Sequence, residues 1–196
     1  MRRMIEVWIV MCIGLAIVGF SEITAADKLA KNAVGIPPET VADYLHALIA
    51  ADRTFYTIHV VERLQSRGVV SATERWRAEN TLPLPAQFVM ESSELAAKTG
   101  TAVRYHLSSL WPINPQNRPG TDFERTGLEE VLRHPERPHR GIVILGADRY
   151  FQAVYADRAV SQACVTCHNA DPRSPKRDFK LDDVMGAVVI SIPLGQ

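Results

Sequence analysis

Cys164-Val165-Thr166-Cys167-His168 constrains this chain more than any other stretch. Two thiols three positions apart, followed at once by an imidazole, form the attachment pattern of a c-type haem. The spacing matters because two thioether sulfurs and one axial nitrogen must meet a single rigid macrocycle. Other uses of the same residues fit less well. A zinc site built on Cys164, Cys167 and His168 needs a fourth ligand, and no second cysteine pair follows. A redox dithiol needs a βαβ unit around it, and only residues 169–196 remain after the motif. A disulfide between Cys164 and Cys167 leaves His168 without a role.

The N-terminus supports the haem reading. Arg2 and Arg3 precede an unbroken apolar run from Val7 to Phe20, and Thr24-Ala25-Ala26 supplies small residues for cleavage before Asp27. Residues 1–26 therefore read as a signal peptide, which places the mature chain in the periplasm. The run is short for a membrane span, so membrane association is expected only if this segment stays uncleaved. Cys12 is not a lipoprotein cysteine, because bulky Met11 precedes it and the apolar run continues past it. Cleavage leaves Cys164 and Cys167 as the remaining cysteines of three, with none over for a stabilising disulfide. Lys plus Arg and Asp plus Glu number 22 each, and Arg is spread without a basic block, so nucleic acid is not an expected partner.

The rest of the chain reads as a helical first half followed by an antiparallel sheet, an α+β arrangement. Residues 27–39 form a lead-in, and 40–196 a single domain. Pro37 and Pro38 open a long helix over Thr40–Gln65, ended by Gly68. Its apolar face is expected to carry Val41, Leu45, Leu48, Phe55 and His59, widened by Tyr44, Ile49, Tyr56, Val60 and Leu64. Ser71-Ala72-Thr73-Glu74 predicts a short capped helix to Glu79, and Ala86–Lys98 a further helix with Phe88 and Leu95 inward. Val103, Tyr105 and Leu107 alternate with polar residues as in a half-buried strand. Trp111–Gly120 is irregular, and Thr121-Asp122-Phe123-Glu124 caps a helix to Leu132. Strands follow at Gly141–Leu145 and Tyr150–Tyr155 across a Gly146-Ala147-Asp148 hairpin turn. Ser161 is expected to cap the helix that carries the haem motif, Asn169–Asp183 to form a polar loop, and Val184–Pro193 a final strand. The haem helix thus sits between strands, unlike the all-helical cytochromes whose motif lies near the N-terminus.

Three stretches of this chain resemble one family. Ser108-Ser-Leu-Trp-Pro-Ile-Asn-Pro-Gln-Asn-Arg-Pro119 is similar to its Ser-x-x-Pro-x-Asn-Pro-x-Asn-x-Pro loop, with Glu124 where a glutamate opens a helix. Ala163–Asn169 surrounds the haem motif, and Asp182–Leu194 is similar to its closing strand. These are the Tll-type haem domains, exported and PAS-like, with one covalent haem c. The resemblance spans residues 40–196 and implies thioether bonds at Cys164 and Cys167 and proximal ligation by His168. It also implies sensing of redox state or of small ligands. Some members use a distal cysteine. The mature chain has no spare one, so that feature does not transfer.

The far side of the iron has several candidates. His59 on the long helix and Met90 lead, with His106, His46 and Tyr56 behind them, and water or an open position remains. Asp52 and Arg53 are expected on a solvated helix face rather than at a haem propionate. Trp111 and Tyr105 suit either the pocket or the core. His134, His139, Asp171, Lys176 and Asp178 are expected to face solvent. The leading expectation is a sensor, not an enzyme, that passes a shape change to a separate signalling or redox protein. Periplasmic electron transfer is the alternative, and a peroxidase-like activity the weakest reading, for want of a recognisable distal acid–base pair.

Overall fold

The computed structural model describes residues 35–194. The expected signal peptide over 1–26, and with it most of the lead-in over 27–39, lies outside the described residues. From Pro37 onward the chain forms one contact unit. Its order is α1 (Pro38–Phe55), a π-helical run (Tyr56–Glu62), α2 (Arg63–Ser66), β1 (Ala72–Thr73), α3 (Trp76–Glu79), β2 (Leu82–Pro83), α4 (Pro85–Ala97) and β3 (Arg104–Ser108). A 3-10 turn (Pro115–Asn117), α5 (Asp122–Arg133), β4 (His139–Leu145), β5 (Asp148–Arg158), α6 (Gln162–Ala170) and β6 (Val184–Pro193) complete it. Among the described residues no helix is long and apolar enough to cross a membrane.

The architecture is the α+β one expected. Four antiparallel strands take the order β3-β6-β5-β4, and β6 is central. β6 reads as an almost continuous apolar run because both of its faces are covered. Val188 and Ile190 face one side with Ala42 of α1, Val89 of α4, and Phe151, Ala153 and Tyr155 of β5. Ala187 and Val189 face the other with Val154 and with Leu128 and Val131 of α5. Gln152 and Ser191, paired in register and both buried, bond to each other at 3.0 Å and so place two polar side chains inside the sheet. The β4–β5 hairpin turns at Gly146, whose φ of 67° suits the first central position of a two-residue turn.

Several sequence expectations need correction. The long helix forms, but its buried line is Ala42, Thr57 and Val61, with Leu45, Ile49 and Arg53 half-buried. Leu48 and Phe55 are exposed, and His59 beside them also faces outward. Apolar residues occur all round this helix, so periodicity placed Leu45 and Ile49 correctly against the core but also turned Tyr44, Leu48, Phe55 and His59 inward. In α4 the deeply buried residue is Val89, whereas Leu95 is 62% exposed. The Ser71–Glu74 stretch starts no helix: Ala72–Thr73 pairs in parallel with Leu82–Pro83, and only Trp76–Glu79 is helical. Ser161 makes no capping bond, and its hydroxyl lies 3.6 Å from Cys164 Sγ. Thr121 does cap α5, accepting from the Glu124 N–H at 3.2 Å. The Glu124 carboxylate reaches back one residue further than a capping box, to the Gly120 N–H at 2.9 Å.

Candidate functional site

The haem motif lies on α6, which leaves the end of β5 and packs through Val165 onto Ala159, Phe179 and Met185. On a helix, positions 164, 167 and 168 fall on neighbouring turns of one side. Here all three line a cavity of about 980 Å³. Both cysteines are unpaired. Their side chains and that of His168 border a volume rather than closing on a point. Among the described residues no group of three or more His, Cys, Asp or Glu side chains converges as an ion site needs. Burial, with Asp171 beside it, pushes the Cys167 thiol up. Dithiol oxidoreductases use the opposite, a lowered thiol.

His168 is held for a neutral role. Burial pushes its imidazole down, and the charge of Arg53 pushes it further. Its Nδ1 is buried without a partner, and its ring meets Phe179 edge-on at 6.0 Å between centroids. Phe179 is fixed by Asn169, whose side-chain amide donates to the Phe179 carbonyl at 2.9 Å and accepts from its N–H at 3.0 Å. Residues 169–183 are therefore not simply a wet loop. Lys176 lies 4.9 Å over Phe179, and Asp171, bonded by Arg173, has its carboxyl pulled down to about 2. Asp178 is exposed, as expected.

The opposite walls come from three separate stretches. α1 and its π-helical continuation supply Arg53, Thr57 and Val61; α4 supplies Met90; the irregular loop supplies Trp111, Ile113 and Arg118. The π-helical run lies where the helix borders the cavity, a common place for such departures from α-geometry. Thr57, fully buried, spends its hydroxyl on the Arg53 carbonyl at 2.7 Å. Arg53 Nη1 donates to Asp157 Oδ1 at 2.6 Å, with the two side chains 11% and 14% exposed. The expected solvated face at Arg53 is thus a largely shielded ion pair at the cavity wall, while Asp52 is exposed. Burial pushes the Asp157 carboxyl up, and Arg53 pulls it back.

Of the distal candidates, the fold brings Met90 to the cavity and not the others. His59 is exposed and lies against Phe55 at 4.9 Å between ring centroids. His106 stands on β3 with Nε2 3.5 Å from Glu124 Oε2. His46 stacks on Tyr155 at 4.0 Å, and the Tyr56 hydroxyl donates to the Pro83 carbonyl at 2.7 Å. Trp111 lines the cavity; Tyr105 packs with the core. His134 is exposed, but His139 lies on β4 against Phe123 at 4.5 Å.

The residues suit a haem. A wall that mixes apolar with polar side chains, a paired thiol edge, an imidazole with an unpartnered buried nitrogen and a largely shielded cation are what a covalently held, carboxylated macrocycle needs. Sequence reasoning missed Asp157, Thr57 and Arg118 as wall residues. Only the irregular loop, singled out before, signalled part of this wall. No curated protein and no solved structure matches the chain significantly. The sequence model of one family does match, over residues 32–193, and by that match the chain belongs to the Tll0287-like family.

Proposed function

We propose that this chain is an exported, single-haem c-type protein that senses redox state or a small ligand in the periplasm. Cys164 and Cys167 carry the haem and His168 is its proximal ligand. The observation that carries the reading is the cavity of about 980 Å³ onto which those three residues open. Haem iron supplies a one-electron couple and an exchangeable coordination position. His168 is oriented by α6 and by the edge of Phe179. Val61, Leu107 and Trp111 present apolar surface to the cavity. Sensing is favoured because, among the described residues, no histidine besides His168 lines the cavity. A separate redox or signalling protein receives the output.

Periplasmic electron transfer is the second reading, favoured by Met90 in the cavity wall, since methionine is a firm axial ligand that raises the potential. The absorption spectrum of the reduced, purified protein, recorded with and without carbon monoxide, separates the two. A haem spectrum shifted by carbon monoxide supports sensing. A haem spectrum indifferent to it, and altered by Met90→Ala, makes electron transfer the reading. A chain that carries no covalent haem by mass and shows no haem bands overturns both. His59→Ala is expected to leave the spectrum unchanged.

A further inference from the structure

We propose that Arg53 is the carboxylate-binding residue of this cavity and that, with Asp157, it sets the reduction potential of the site; this rests on the haem reading above. Guanidinium has five N–H donors in a rigid fork. Arg53 spends one on Asp157 at 2.6 Å, and its buried Nε has no partner. A buried N–H left idle is costly unless something completes its hydrogen bond. A carboxylate is the planar anion that fits the fork. The other arginines of the wall are placed differently. Arg173 is committed to Glu74 and Asp171, and Arg118 is exposed at the rim. Arg53 is therefore the cation held inside the wall.

The carboxylate has two sources: a propionate of the bound haem, or a small carboxylate from solution. Either leaves Arg53 and Asp157 as opposite charges in the wall of the cavity that would hold the haem, on α1 and at the irregular end of β5, where the register with β6 shifts between Asp157 and Arg158. A nearby cation favours the less positive iron, and a nearby anion opposes it. The two substitutions must then move the potential in opposite directions.

Spectroelectrochemical titration of the haem-loaded protein, as wild type, Arg53→Gln, Arg53→Lys and Asp157→Asn, with and without acetate, tests this. At fixed potential Arg53→Gln is expected to lower the reduced-to-oxidised ratio about tenfold, equivalent to about 59 mV for one electron. Asp157→Asn is expected to raise it, and Arg53→Lys to stay nearer the wild type. No response of the wild type to acetate identifies the haem's own carboxylate as the occupant. A potential shifted by acetate in the wild type but not in Arg53→Gln identifies a carboxylate from solution. Variants that keep covalent haem yet match the wild-type potential overturn the proposal, as does a shift of the same sign in Arg53→Gln and Asp157→Asn. Where Arg53→Gln fails to fold, Asp157→Asn and Arg53→Lys carry the same test. Absence of haem in the wild type defeats the haem reading itself.

Discussion

Single atoms decide how the wall behind the cavity closes. Gly186 on β6 has room for no side chain: a Cβ there meets the Ser108 carbonyl oxygen at 2.5 Å and Ser109 Cβ at 3.2 Å. The obstruction is backbone, so no flexible side chain can yield. Ser108 and Ser109 line the cavity, and Ser109 Oγ donates to the Met185 carbonyl at 2.7 Å, tying the loop to the central strand. Gly186→Ala is expected to cost about 1–3 kcal/mol by overpacking. A lower urea midpoint at unchanged m-value checks it, and an unchanged midpoint contradicts the close approach. Residue-scale contacts of this kind are the least legible in sequence. Asp157 is 104 positions from Arg53, and no local window pairs them. Without that partner an arginine is assigned to solvent, which is why Arg53 was expected there. The motif Cys164, Cys167 and His168 was legible because its chemistry is contained in five adjacent residues.

At the scale of elements, caps and terminal charges fix how the loop hands over to α5. Glu124 is buried in the first turn and accepts from the Gly120 N–H at 2.9 Å, with His106 at 3.5 Å. Burial alone raises its carboxyl. The His106 contact and the Gly120 N–H together more than reverse this, so the folded value lies below the usual 4.5. A lowered folded value stabilises above the unfolded value and is lost as pH falls through the folded one. Glu124→Gln is therefore expected to be less stable than wild type at pH 7, by about 1 kcal/mol for a helix-start contact of this type. The gap closes below about pH 4.5, as the carboxylate takes up its proton. Urea unfolding of both proteins at pH 7 and pH 3 checks it, and a gap that widens in acid contradicts it. An unbroken apolar run was legible in sequence: β6 was expected at its observed bounds, Val184–Pro193. The orientation of α1 was not, because apolar residues surround it and the partner of Arg53 lies on a distant strand.

At the scale of the molecule, the cavity is where separately folded parts meet. α1, the β1–β2 region, α4, the irregular loop and α6 all face it, and its volume is about 980 Å³. These parts touch at a few points, with the Tyr56 ring stacked on Phe88 at 4.6 Å and Arg173 bonded to Glu74, and otherwise border the space between them. A group that fills the space adds apolar contact to every part at once, and burial of a few hundred Å² contributes several kcal/mol at about 25 cal/mol per Å². For a domain of this size each kcal/mol moves the melting temperature by about 2–4 °C. Haem-loaded protein is accordingly expected to melt on the order of 10 °C or more above a Cys164→Ser/Cys167→Ser chain, which keeps every other wall residue. The gain also has a location. Amide protection should rise across residues 72–87 and 109–118, which border the cavity, and stay level in the middle of β5 and β6, whose cores are closed without it. Equal melting temperatures, or protection that rises uniformly through the sheet, would mean that the cavity is not the place where loading is felt. The separate walls would then have to be held by contacts other than those through Arg53, Thr57 and Trp111.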